Sequence, residues 1–104
     1  MTTVAQETAP QRTQRAVIEA AARHLPHARL VLFGSRATGA AGRRSDFDLA
    51  VIPGPHFSPQ ELIRFREALE ESPAIIHPID VLDIRDASPE LEQKIKEEGI
   101  VWKS

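Results

Sequence analysis

Apolar residues recur along this chain with two spacings, one typical of helices and one typical of strands. Between Pro10 and Leu25 they recur every three or four positions, as in a helix with one buried face. Ser-Pro pairs, which often begin helices, precede the same spacing at Ser58 and Ser88. The segment from Ser35 to Gly42 is alanine-rich but contains two glycines, so at most one or two helical turns are expected there.

Strands are predicted in the apolar runs between these helices. Arg29–Phe33 is almost continuously apolar, which indicates a strand buried on both faces. Asp46–Ile52 alternates between polar or small residues and large apolar ones, the pattern of a half-buried strand. A third strand is expected to begin near Ile79, after Pro78, which lacks a backbone donor. A fourth is predicted over residues 100–102.

The alternation of helices and strands predicts an α/β (α+β) fold in which helices cover a small mixed β-sheet. The link between Phe33 and Asp46 is too short for the crossover that joins parallel strands, so the first two strands are expected to be antiparallel. With 104 residues, the chain is predicted to form one domain, residues 1–104, in which residues 1–8 are frayed.

Composition excludes several classes of function. The net charge of −2 gives no general attraction to nucleic acid, so no direct nucleic-acid binding is expected. There is no cysteine, no apolar run of membrane-spanning length and no signal-type segment, so we expect a cytoplasmic protein without membrane contact. Because the net charge of the chain does not attract anions, any anion binding must come from a local group of positive charges or backbone amides.

Asp46 and Asp48 form a candidate cation site. Residues two apart in a strand point to the same face, about 6.6 Å apart along the chain, so these two carboxylates can converge on one ion. Oxygen ligands in a chain without cysteine favour a hard divalent ion such as Mg²⁺ over zinc. Taken alone, an acidic strand end exposed to solvent is the more common explanation.

Gly34 and Ser35 form a candidate phosphate site beside these carboxylates. A glycine after a buried strand allows a sharp turn, and the amides and hydroxyl that follow it can hold a phosphate. Arg36 and Arg44 are candidate phosphate contacts, whereas Arg43 is more simply a solvated loop residue. Phosphate groups beside metal-binding carboxylates are the combination that phosphoryl and nucleotidyl transfer require.

A third carboxylate for such a site is predicted at Asp80. Asp80 lies in the third strand, whereas Asp83, three positions later, points to the opposite face of that strand. We therefore favour Asp80 over Asp83 as the third metal ligand.

The motif of Gly34-Ser35, ten further residues, and then Asp46 and Asp48 in an Asp-x-Asp pair resembles the signature of minimal nucleotidyltransferases of the DNA-polymerase-β-like superfamily. In that superfamily a later hydrophobic strand supplies a third aspartate, as Asp80 does here. The resemblance implies that Gly34 and Ser35 hold the phosphates of a nucleotide. It also implies that Asp46 and Asp48 bind two Mg²⁺ ions and that Asp80 completes the metal site opposite the attacking hydroxyl.

Minimal members of the superfamily are similar to the MntA-type antitoxins of HEPN–MNT toxin–antitoxin pairs. The resemblance implies an adenylyltransferase that moves AMP from ATP onto a tyrosine of an all-helical HEPN ribonuclease toxin. The chain is too short for the acceptor-binding helical domains of larger members, so the acceptor is expected to come from another chain. Two alternatives stay open: an antitoxin or scaffold that acts by binding alone, and a nucleotidyltransferase subunit with a small-molecule or RNA acceptor.

The remaining aromatic and imidazole groups are interpreted as structural. The four histidines show no metal-ligand spacing, so each is expected to be a surface or partly packed residue. Trp102 is expected to pack on the sheet.

Overall fold

The structure is a computed structural model that describes residues 7–42 and 45–104. In chain order these residues form α1 (Ala9–His24), β1 (Ala28–Phe33), α2 (Ser35–Thr38), β2 (Phe47–Pro53), α3 (Pro59–Glu71), β3 (Ile79–Asp83), a 3-10 turn (Ile84–Asp86), α4 (Pro89–Glu98) and β4 (Ile100–Lys103).

The strands form one mixed sheet in the order β3-β2-β1-β4. β1 runs antiparallel to both β2 and β4, whereas β2 and β3 are parallel and α3 lies between them in the chain. A helix-sized crossover is what a parallel pair requires. The predictions of a mixed sheet and of an antiparallel pair for the first two strands are confirmed.

Alternate residues of β2 point to opposite faces of this sheet. Phe47 and Leu49 are buried in the larger core, where the sheet packs against α1 and α3. Ala50 faces the other way and packs with Val31 of β1 and Ile95 of α4 in a smaller core. The period of two along the strand therefore gives each face of the sheet its own helical cover.

Helix α3 shows how the sequence specifies both the start and the face of a helix. The Ser58 hydroxyl accepts a hydrogen bond from the backbone of the first turn, and the Glu61 carboxylate accepts one from the Ser58 N–H at 3.0 Å. Leu62, Phe65 and Leu69 then lie on one face, and Phe65 is fully buried. Burial of a phenylalanine stabilises the fold by roughly 1.5–3 kcal/mol.

The start of α1 differs from the prediction. Thr8 and Gln11 form a reciprocal capping box, with Thr8 N–H donating to the Gln11 side chain at 2.8 Å. Glu7 forms an ion pair with Arg15 at 2.6 Å. The expected fraying of residues 1–8 therefore does not extend to Glu7 and Thr8, because a capped helix end satisfies its own backbone donors. Residues 1–6 lie outside the described part of the chain. None of the helices described is both long enough and apolar enough to cross a membrane.

Candidate active site

A glycine turn joins β1 to α2 and lies directly against an acidic side chain. Gly34 has φ +75°, a conformation that side chains disfavour, and its carbonyl accepts the first hydrogen bonds of α2, from Ala37 and Thr38. A methyl group added to Gly34 would collide with Oδ2 of Asp48. The backbone conformation therefore requires glycine at this position, and any larger residue would displace the Asp48 carboxylate.

Helix α2 is a single turn that begins at Ser35. Gly39, with φ +81°, ends it and donates its N–H to the Ser35 carbonyl, so the prediction of one or two turns is confirmed. The first amides of a helix have no carbonyl partner within it, and they face an anion placed at its N-terminus. Ser35, the residue after Gly34, thus supplies a hydroxyl and a helix-initial amide at this turn.

Three side chains form a row across the sheet at this end. Phe33 of β1 is opposite Asp48 of β2, and Asp48 is opposite Asp80 of β3. Residues in register on adjacent strands point to the same face, so Asp48 and Asp80 share the face that carries α4. Asp83 is opposite Val51 and shares the other face, as the parity of the strand predicted. Asp46, exposed, lies immediately before the first residue of β2.

The three carboxylates at this end of the sheet, those of Asp46, Asp48 and Asp80, are close enough to affect one another. Partial burial, the Asp80 carboxylate and the Asp46 carboxylate all raise the pKa of Asp48. Within residues 7–42 and 45–104, no three carboxylate, imidazole or thiol groups are already gathered around one point as metal ligands. Asp46 and Asp80 are exposed, so their side chains can change rotamer toward a cation. An all-oxygen donor set whose members repel one another fits Mg²⁺, which neutralises that repulsion.

Arg36, a predicted phosphate contact, makes contacts within the protein. Its Nε donates to the Ser45 carbonyl at 2.9 Å, and its guanidinium carbon lies 4.1 Å from the centre of the Phe47 ring. These contacts connect α2 to the start of β2. Arg43 and Arg44 lie outside the described residues, so the phosphate contact of Arg44 stays a prediction.

Phe47 is a packing centre between the two aspartates of the motif. The ring of His77 stands against it with centroids 5.3 Å apart, and that of Trp102 lies 5.8 Å away. The predictions that Trp102 packs on the sheet and that His77 is partly packed are confirmed. Sequence reasoning missed Thr13, whose hydroxyl forms a hydrogen bond with His77. Thr13 lies one turn before Val17 on the apolar stripe of α1. A hydroxyl on that stripe could have been recognised, since a buried hydroxyl requires a partner.

Asp83 has a structural role. Its two carboxylate oxygens accept hydrogen bonds from the Arg85 guanidinium at 2.7 to 3.2 Å, and Oδ1 also accepts the Arg85 backbone N–H at 2.9 Å. The hydrogen bonds from the Arg85 side chain hold the pKa of Asp83 below its ordinary value. Asp83 therefore caps the 3-10 turn after β3, with its own counter-ion.

Comparison with known proteins identifies the family. A family model described as polymerase beta nucleotidyltransferase matches residues 16–104. The chain belongs to this nucleotidyltransferase family. Among proteins of curated function, none matches it. The predicted family membership and the predicted fold are confirmed.

Solved structures of this nucleotidyltransferase fold are similar over most of the chain. A structure described as a minimal nucleotidyltransferase is 31% identical, covering 84% of this chain and 86% of that one, with a TM-score of 0.63. A toxin–antitoxin complex with AMP-PNP is 26% identical, covering 86% of this chain and 71% of that one, with a TM-score of 0.66. A tri-AMPylated Shewanella oneidensis HEPN toxin in complex with an MNT antitoxin is 21% identical. The match covers 91% of this chain and 71% of that one, with a TM-score of 0.61. At 21% identity, this last likeness shows the fold alone.

Proposed function

We propose that this chain is a Mg²⁺-dependent nucleotidyltransferase that moves AMP from ATP to a tyrosine hydroxyl of a HEPN ribonuclease toxin and thereby acts as its antitoxin. The observation that carries the proposal is the strand register. It sets Asp48 opposite Asp80, while the Gly34 turn lies against Asp48 from the other side.

Each end of the site has a separate task in this reaction. Gly34 and Ser35 hold the phosphates that leave, and Asp46, Asp48 and Asp80 hold two Mg²⁺ ions. When bound, Mg²⁺ offsets the charge of the phosphates and makes the attacking hydroxyl easier to ionise. Asp80, on the outer strand β3, faces the incoming hydroxyl.

The order of the groups across the sheet supports an in-line displacement. The tyrosine oxygen bonds to the α-phosphorus of ATP from the Asp80 side, and its proton leaves toward the Asp80 carboxylate. The bond from the α-phosphorus to the bridging oxygen of the β-phosphate breaks, and pyrophosphate departs on the side of Gly34 and Ser35. The chain's own groups thus orient the two reactants on opposite sides of Asp48.

The similar structures support the choice of nucleotide and acceptor. One contains AMP-PNP, an analogue of ATP, and another contains a HEPN toxin that carries AMP groups. An AMP-bearing toxin beside an antitoxin of the same fold is what the proposed reaction would produce. The carboxylates of the motif are present in this chain, which favours an enzyme over an antitoxin that acts by binding alone.

The test is transfer of label from α-labelled ATP with Mg²⁺ to the product of the adjacent gene, which we expect to be a HEPN toxin. We expect transfer by the natural chain, a mass increase of one AMP group on a toxin tyrosine, and loss of both in the Asp46→Ala/Asp48→Ala double variant. Asp86→Ala, an exposed aspartate in the 3-10 turn, is the matched control and should transfer normally.

Three outcomes would redirect the proposal. Transfer that survives in the double variant would sink the metal mechanism. Undiminished neutralisation of the toxin by the double variant would instead support an antitoxin that acts by binding. Transfer to RNA or to a small molecule, with the toxin unlabelled, would assign a different acceptor.

A further inference from the structure

A partly buried hydrogen bond connects the first helix to the segment that leads into β3. Thr13 Oγ1 lies 2.8 Å from Nδ1 of His77, and Thr13 has 0% exposure. A hydroxyl without a partner in such a place would be costly, so the fold is strongly biased toward keeping this contact. The contact joins two residues that are 64 positions apart in the chain.

His77 lies three residues before Asp80. It contacts Phe47, which stands between Asp46 and Asp48 in the sequence. Its ring is edge-on to that of Phe47, with an interplanar angle of 76°. The carbonyl of Pro78, the next residue, accepts the Phe47 N–H at 2.9 Å at the start of the β2–β3 pairing. His77 therefore sits where the register between Asp48 and Asp80 is established.

The surroundings of His77 favour the neutral ring. Burial and the positive charge of Arg36 both lower the pKa of His77. A neutral imidazole with its proton on Nε2 accepts at Nδ1, which matches the hydroxyl donor of Thr13. Arg36 and His77 both contact the ring of Phe47.

From these contacts we infer that Thr13 and His77 are positioning residues of the proposed active site. Their hydrogen bond fixes where the chain enters β3 and so keeps Asp80 level with Asp48 for cation binding. The inference rests on the proposed function for its catalytic consequence, but its effect on the cation site can be measured separately.

The test compares Thr13→Val, which keeps the side-chain shape but lacks the hydroxyl, with Thr13→Ser, which retains the hydroxyl. Mn²⁺, which carboxylates bind much as they bind Mg²⁺, reports affinity through its paramagnetic resonance signal. We expect Thr13→Val to lower both Mn²⁺ affinity and kcat by about tenfold, the lower end for loss of a residue that orients a ligand. The KM for ATP should stay within about twofold, since the phosphate side of the site is unchanged. Thr13→Ser should keep most of the Mn²⁺ affinity and most of the kcat of the natural chain.

A second pair of variants covers the case in which Thr13→Val folds poorly. His77→Leu removes the same hydrogen bond from the other side, and the double variant Thr13→Val/His77→Leu leaves no unpartnered hydroxyl. The double variant should lose no more Mn²⁺ affinity than either single change, because one interaction is being removed.

The control for general loosening is Ser88→Ala. It removes a helix-capping hydrogen bond, 3.2 Å long, at the start of α4 without touching β2 or β3. It should leave Mn²⁺ affinity and kcat unchanged. An equal loss in this variant, or natural Mn²⁺ affinity in Thr13→Val, would overturn the positioning role, as would absence of Mn²⁺ binding by the natural chain. If the natural chain binds Mn²⁺ but transfers no AMP, the proposed function fails, and the Mn²⁺ affinities still decide the positioning role.

Discussion

Two aspartates, Asp48 of β2 and Asp83 at the end of β3, lie on opposite faces of the sheet and have pKa values shifted in opposite directions. Asp83 faces the core covered by α1 and α3, has 8% exposure, and is held by the Arg85 guanidinium, so its pKa lies below the ordinary value. Asp48 faces the α4 side, where burial and the charges of Asp80 and Asp46 raise its pKa.

On the proposed function, this difference in pKa separates a structural carboxylate, Asp83, from one that binds a ligand, Asp48. The chain supplies Asp83 with its own cation, so its charge stabilises the fold. Asp48 shares its environment with further negative charge, an arrangement that a bound cation would relieve. A raised carboxylate pKa of this kind is common at ligand-binding sites, where groups are held together at some cost in stability.

The largest expected effect is on catalysis. Asp48→Asn should lower AMP transfer on the order of 10²–10³-fold, because a neutral amide is a poor ligand for Mg²⁺ and leaves phosphate charge uncompensated. Asp83→Asn should keep kcat within about twofold when it is assayed well below its unfolding temperature. Initial rates with labelled ATP measure both. Equal losses in the two variants would remove the distinction between the two aspartates.

The next largest effect is expected on the stability and activity of a variant at Gly34, which lies against Asp48. Gly34→Ala should be destabilised by about 1–3 kcal/mol, from its positive φ and from the collision with Asp48, and should lose most transfer activity. Gly39→Ala is the matched control, since Gly39 also has a positive φ but has no atoms within 4 Å of an added methyl group. It should be strained but active. Urea unfolding and transfer rates measure the two effects, and similar activity in both variants would argue against the contact with Asp48.

A smaller effect is expected on stability at the Asp83 end. Asp83→Asn should lower the free energy of unfolding at pH 7 by about 1 kcal/mol, a modest value because Arg85 is largely exposed. Since the pKa of Asp83 is lower in the folded state, its stabilisation is present above the ordinary value of 3.8 and is lost as the pH falls below it. Urea unfolding at pH 7 and pH 3 should therefore show the two proteins converging in acid. A constant difference would assign the loss to packing.

The smallest effect has the opposite sign. Because the pKa of Asp48 is raised on folding, the folded state binds this proton more tightly, and the free energy of unfolding falls as the pH rises above 3.8. Asp48→Asn should therefore be more stable than the natural chain at pH 7 in EDTA, by about 0.5 kcal/mol. Added Mg²⁺ should raise the melting temperature of the natural chain and leave the variant nearly unchanged. Destabilisation of the variant in EDTA would contradict the repulsion inferred at Asp48.

Local features of the sequence were sufficient for much of the architecture. The apolar spacings, the Ser-Pro helix starts and the Pro78 boundary predicted the elements, because each depends on residues a few positions apart. The short link between Phe33 and Asp46 predicted the antiparallel pair, and the glycine-serine turn with its two aspartates indicated the family. The capping box of Thr8 with Gln11 was not among the predicted features, although both residue types favour one.

Only the tertiary structure decided how the groups meet. The register that sets Asp80 opposite Asp48 joins strands separated by α3, and such a register depends on how both faces of the sheet pack. The same packing directs Arg36 to Ser45 and Phe47 and brings Thr13 to His77 across 64 positions. The sequence by itself determined which chemical groups are available and on which face of a strand each can lie. Their distances and partners follow from long-range packing, which no local pattern encodes.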